Sequence, residues 1–335
     1  MSKIVNYSAF ALLALTLATA CSNDGSESDF LAQDGRVQFL PSVGSAATRA
    51  GDTSFDTGDA IGVFASTTAT GSLSATGNYA DNVKYVYSSS RFLNAGQGIA
   101  VPKEAAAQVS YYAVYPFQEN VASQFTFTVS EDQSSYDKYT KSDLLLAATS
   151  AGTNEAMVPL KFNHMLSRVL IDASGLGLYS GNYRIELLAY KGSVSVDLEH
   201  QNVTTLAGNT VSIKMCEDGT NHFKAIMPAQ LLSNVNVVGR LYIGNEPAKS
   251  IALRYDLELT PGGSVELKLL KTTNAYYLDY DGTGDSSMPD DSEAEPNPTI
   301  YDPTTVIPNI QYTPEVIGSD VFVRIDMTGV QNPET

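Results

Sequence analysis

The chain has 335 residues, 43% of them hydrophobic and 17% charged, and a formal net charge of −17. That composition supports a folded interior of about two domains and excludes an intrinsically disordered chain. The acidic balance argues against a nucleic-acid partner, because phosphate binding needs a basic surface.

The chain opens with Lys3 and an apolar run over residues 9–20, long enough for an export signal and too short to span a bilayer comfortably. The run ends in Ala18-Thr19-Ala20-Cys21, which resembles the lipobox of bacterial lipoproteins and makes Cys21 the expected lipidation site. Ala18 stands where that motif usually has Leu. An ordinary signal peptide cut after Ala20 is the alternative. Residues 22–29 are polar and acidic and read as a tether. The second cysteine, Cys216, reads as a small buried apolar residue, and with Cys21 acylated no disulfide forms within the chain.

Short strands follow nearly everywhere. A first extended run, residues 37–40, closes at Pro41, and the small polar stretch behind it carries Arg49 alone. Strands are then predicted over residues 60–65, 83–87, 109–115, 125–129, 143–147 and 158–162, separated by clusters of Gly, Ser, Thr, Asn and Asp. Residues 103–108 could make a helical turn at most. A second set covers 168–173, 183–190, 194–198, 211–215, 223–227, 235–243, 251–259 and 264–270. Its alternation is clear where Val194, Val196 and Leu198 oppose Ser195 and Asp197. Many short strands without a long amphipathic helix predict β-sandwiches, with a boundary near residues 163–168.

Beyond residue 270 the texture changes. Residues 279–302 hold eight acids without a Lys or Arg, and read as a solvated linker. Within it, Asp279, Asp281, Asp285 and Asp290 imitate a calcium loop, with Thr283 in place of an acid, Asp290 in place of Glu and no flanking helix; an acidic turn is the simpler reading. Tyr276, Tyr277 and Tyr280 beside it could offer an adhesive aromatic patch or simply pack on a sheet. At the end, Val321, Val323, Ile325 and Met327 share one face of an alternating run. A strand behind a linker needs an edge to pair with, in its own sheet or in another copy's.

Nothing in the sequence supports an enzyme. His164, His200 and His222 stand in no metal-ligand spacing, Gly175-Leu176-Gly177 lacks the context of a dinucleotide loop, and no Gly-x-Ser-x-Gly elbow occurs. No cofactor and no metal are expected.

Five stretches together carry a family resemblance: residues 58–64 (GDAIGVF), 111–116 (YYAVYP), 143–147 (DLLLA), 159–167 (PLKFNHMLS) and 259–263 (LTPGG). In this order, behind a lipobox and Thr48-Arg49-Ala50, the chain resembles the Bacteroidales fimbrillins, lipoprotein-derived pilins and their tip and anchor relatives. Phe55 departs from the pattern, in which Trp often precedes the Gly-Asp pair.

The resemblance implies a structural subunit of a surface fimbria with an all-β fold of two transthyretin-like sandwiches in tandem. The implied organisation is a signal peptide over 1–20, a lipidated pro-segment over 21–49, sandwiches over 50–165 and 166–271, and an acidic extension with C-terminal strands over 272–335. It further implies an outer-membrane lipid anchor before maturation, cleavage between Arg49 and Ala50 by an arginine-specific protease, and loss of the first strand. Assembly with other fimbrial subunits then follows through a donor strand bearing Val321, Val323, Ile325 and Met327. A monomeric surface lipoprotein or tip subunit that binds a glycan or host protein is the alternative.

Overall fold

In a computed structural model of the chain, the described residues are 35–44, 54–67, 71–104, 108–273 and 275–280, together with the backbone of 311–317 and 320–326. Two sheet systems dominate. The first contains β1 (Gln38–Val43), β2 (Ala60–Ser66), β3 (Ala80–Ser88), β4 (Arg91–Asn94), β5 (Ser110–Tyr115), β7 (Leu145–Ala148) and β8 (Met157–His164). These seven strands close into a barrel in the order β1-β4-β3-β2-β5-β7-β8. Every neighbouring pair is antiparallel except β1 with β8.

The second system is a nine-stranded sheet of β9 (Ser167–Asp172), β10 (Tyr183–Ala189), β13 (Val211–Lys214), β14 (Cys216–Glu217), β15 (His222–Met227), β17 (Val237–Ile243), β18 (Lys249–Leu253), β20 (Ser264–Lys271) and β21 (Tyr276–Tyr280). Its order is β13-β10-β17-β18-β21-β20-β9-β15-β14. The two edge strands, β13 and β14, are separated in the chain by Met215 alone, so the sheet curls until its edges meet. The sequence therefore predicts the all-β class correctly, while the sheets are barrel-like and do not confirm two tandem sandwiches. The first half closes into a ring because β1 joins β8, and the second curls onto itself.

The two halves are welded together. A three-stranded sheet joins β6 (Gln124–Thr128), from the first half of the chain, to β11 (Ser193–Asp197) and β12 (Asn202–Thr205). Gln133, fully buried, inserts its side-chain amide into β15: Nε2 donates to the Ile226 carbonyl and Oε1 accepts from the Ile226 N–H, both at 2.8 Å. Beside it runs the one α-helix of the described residues, α1 (Tyr136–Thr140), N-capped by Ser135. The helical turn that residues 103–108 could make falls largely outside the described residues.

Strands β2, β5 and β7 are buried on both faces. Ile61, Val63, Ala65, Tyr111, Ala113, Tyr115, Leu145 and Ala147 fill the barrel. Their neighbours Phe64, Tyr112, Val114 and Leu146 pack instead into a core shared with the second half. Such strands read as unbroken apolar runs because neither face meets water. By contrast β8 alternates cleanly, with Val158, Leu160 and Phe162 buried and Pro159, Lys161 and Asn163 exposed. Strand β21 adds a core strand beyond residue 271, where patterning places the start of the linker.

Candidate assembly site

The site begins with β1, because this strand is structurally integral and lies at the N-terminal end of the described fold. It lies in the ring between β4 and β8. Six residue pairs, from Gln38↔Met157 to Val43↔Phe162, join it to β8, and Phe39↔Phe92 joins it to β4. The ends are tied by main-chain bonds from Val37 N to Ile99 O (2.9 Å), Gln38 N to Ala156 O (2.8 Å) and Gly44 N to Phe162 O (2.7 Å).

Val37 and Phe39 are fully buried and point into the barrel. The Phe39 ring meets Tyr85 edge-on at 4.9 Å between centroids and Tyr111 at 5.4 Å. Val43 packs partly against the same core, while Leu40, between them, faces outward. Burying Val37 and Phe39 contributes roughly 3–6 kcal/mol. Withdrawing β1 would expose that surface together with the unpaired edge of β8.

At its C-terminal end β1 reaches Gly44, and the described chain resumes at Ser54. Arg49 and Ala50 fall between these two points, outside the described residues. Directly beyond, Phe55 plugs the base of the barrel, with ring centroids 4.9–5.8 Å from Tyr87, Phe92, Tyr115 and Phe162. It fills the aromatic position at which the resemblance leads one to expect Trp.

The Gly58-Asp59 pair holds this plug in place. Gly58 adopts φ +100°, which a side chain would resist, and its N–H donates to the Tyr87 carbonyl at 3.0 Å. The Asp59 carboxylate accepts from the Asp56 N–H (2.8 Å) and from the Tyr115 hydroxyl (3.1 Å). Burial raises the Asp59 carboxyl above its ordinary value, against the lowering effect of these two hydrogen bonds.

Asp143 and His164 line the same small cavity as Phe55 and Asp59, and pair there through Oδ2 and Nδ1 at 2.8 Å. Both are buried, so His164 packs and hydrogen-bonds inside the fold. The motif residues also meet across the junction of the two halves. Ser167 Oγ donates to the Thr260 carbonyl (2.7 Å), and the Gly262 N–H donates to the Leu166 carbonyl (3.1 Å). A Cβ at Gly262, whose φ is +70°, would stand 2.9 Å from the His164 carbonyl oxygen. The motifs are thus a joint.

The remaining sequence candidates are placed as follows. Asp279, first of the calcium candidates, lies in β21 with its carboxylate on Arg254 Nη1 at 3.1 Å in a largely buried pair. Asp281, Asp285 and Asp290 lie outside the described residues, as do Cys21 and Met327. Among the described residues no group of His, Cys, Asp and Glu is arranged to hold a metal. Tyr276 and Tyr277 are half-buried in β21 rather than displayed. Cys216 is buried, which raises its thiol pKa above the ordinary value. Val321, Val323 and Ile325 belong to β23 (Asp320–Asp326), which pairs antiparallel with β22 (Gln311–Ile317). No helix of the described residues is long and apolar enough to cross a membrane.

Comparison with known proteins accounts for the pattern of motifs. "Putative fimbrium subunit Fim1C" of Bacteroides uniformis is 28% identical over 233 residues, covering 65% of this chain and 74% of its own length. Two crystal structures share the fold. A "putative cell adhesion protein" from Bacteroides ovatus aligns with a TM-score of 0.55 at 15% identity, over 73% of this chain and 95% of its own. Another so described, from Bacteroides uniformis, aligns at 0.53 with 20% identity, over 74% and 96%. The sequence model of the fimbrillin-like family matches residues 48–276, two thirds of the chain, and its span starts after β1 and ends in β21. The chain belongs to the fimbrillin-like family.

Proposed function

We propose that this protein is a structural subunit of a cell-surface fimbria, exported as a lipoprotein through Cys21, matured by cleavage after Arg49 and assembled by donor-strand exchange. The observation that carries the reading is β1 itself. It is a full stave of the barrel, yet it is joined to the rest of the described fold only through residues 45–53, where Arg49 stands. Cutting there leaves a barrel without one wall, in which Val37 and Phe39 no longer fill their places. A strand from another subunit restores it. The C-terminal run bearing Val321, Val323, Ile325 and Met327 has the alternation such a slot requires. The family match and the relative named as a fimbrium subunit support the same role.

The test is an unboiled denaturing gel of the chain from residue 22 onward, before and after limited digestion with an arginine-specific protease. The expected result is a multimer ladder that appears only after the cut at Arg49 and disappears when residues 319–335 are deleted. A single band from the cut protein would refute self-assembly and turn attention to a tip or monomeric binding role.

A further inference from the structure

The direction of the strand that replaces β1 can be read from the slot, an inference that rests on the donor-strand reading of the function. A closed ring of seven strands cannot alternate direction throughout, so one neighbouring pair must run parallel. In this barrel that pair is β1 with β8, and it is also the longer of the two contacts β1 makes, six residue pairs against the single Phe39↔Phe92 pair with β4. Parallel pairing is slightly less stable per residue than antiparallel. A strand entering in the opposite direction moves the obligatory parallel contact from the long side of the slot to the short one.

The depth of the slot points the same way. Val37 and Phe39 are fully buried, and Phe39 sits among Tyr85, Phe92 and Tyr111, whereas Pro41 and Val43 at the other end are half-buried. In the C-terminal run the smaller residues, Val321 and Val323, come first and the larger ones, Ile325 and Met327, come last. Entry in the direction of β1 puts Val323 where Phe39 was and leaves a void whose walls lose their contacts. Reversed entry puts Ile325 there, Met327 at the place of Val37, and the two valines at the shallow end. One contact favours the other course: it sets Lys161 opposite Asp326. Lys161 is exposed, and exposed ion pairs contribute little.

We propose that the C-terminal strand of a second copy of this chain enters the β1 slot reversed, antiparallel to β8, with Ile325 in the pocket vacated by Phe39. The two directions set different residues opposite Lys161, which faces outward on β8 in register with Ser42. Reversed entry sets Phe322 there, and parallel entry sets Asp326. Cβ atoms directly opposite one another lie about 4.5–5.5 Å apart, close to disulfide reach.

Three double variants of the chain from residue 22 are therefore cleaved at Arg49, mildly oxidised and run after boiling without reductant. They are Lys161→Cys with Phe322→Cys, Lys161→Cys with Asp326→Cys, and Pro159→Cys with Arg324→Cys, the last matched in either direction. The unsubstituted chain, with buried Cys216 as its only thiol, gives the background. The expected result is a covalent ladder from the first and third variants, collapsed by reductant, and none above background from the second. A ladder from the second without the first, or from both alike, would overturn the reversed direction and leave donor-strand exchange standing. Unboiled polymers without a covalent ladder in any variant would overturn the register with Ile325 at the place of Phe39. Absence of unboiled polymers from the cleaved, unsubstituted chain would instead defeat the proposed function.

Discussion

Replacing Phe39 by Ala separates the precursor from its mature form. The ring is fully buried against Tyr85 and Tyr111, so its removal costs about 3–5 kcal/mol, lost burial and residual cavity together. For a chain of this size each kcal/mol lowers the melting temperature by about 2–4 °C, so the precursor should melt roughly 6–20 °C lower. Leu40→Ala, one residue along and facing outward, should move it by about 1 kcal/mol or less. The assay is thermal unfolding of the chain from residue 22, read by near-ultraviolet circular dichroism. After cleavage at Arg49 residue 39 is gone, so mature protein from the variant should assemble as the unsubstituted protein does. A precursor that melted within about 2 °C of the unsubstituted chain would refute the placement of β1 as a barrel stave. A lasting assembly defect in the mature protein would refute the claim that β1 leaves.

Three further outcomes follow from other parts of the fold. Gln133→Ala strands the Ile226 N–H and carbonyl inside the protein, at about 1–3 kcal/mol for each unsatisfied group, and urea unfolding should report the loss as a single transition. Arg254→Met removes a guanidinium from the largely buried Asp279 carboxylate and should cost up to about 3 kcal/mol; adding Asp279→Leu should recover most of that, as measured by the denaturation midpoint of each variant. Asp59 binds its proton more tightly when folded, because burial raises its pKa, so its contribution to stability falls as pH rises above the ordinary value of 3.8. Asp59→Asn should therefore gain on the unsubstituted protein as the pH rises above 3.8 in paired unfolding curves, and a constant gap would contradict the assignment.

Much of this architecture is legible in the residues alone. Runs such as Ala60–Ser66 and Ser110–Tyr115 announce strands buried on two faces, and the alternation of β8 and β11 announces strands buried on one. What patterning does not convey is partnership. Alternation in β6 shows which side chains turn inward, but nothing in Gln124–Thr128 says that its neighbour is β11, some seventy residues on. Nor does the apolar pattern of β1 reveal that joining β8 converts an open sheet into a ring. Strand β21 is hidden for a related reason. Its Asp279 reads as the start of an acidic linker, because a cation that makes it compatible with a largely buried position, Arg254, lies on another segment. The role of Gln133 is invisible too, since a buried side-chain amide is recognised only by the backbone it satisfies.

The division between strands with two buried faces and strands with one sets which parts of the molecule are free to vary. Phe64, Tyr112, Val114 and Leu146 are held by the core shared between the halves, while Lys84 on β3 faces water. Substitution at Lys84, whose ammonium lies 5.0 Å from the Phe117 ring centroid, changes charge at the outer surface at a cost of about 1 kcal/mol or less. The outward face of β3 can therefore change in charge while the joint between the halves stays fixed.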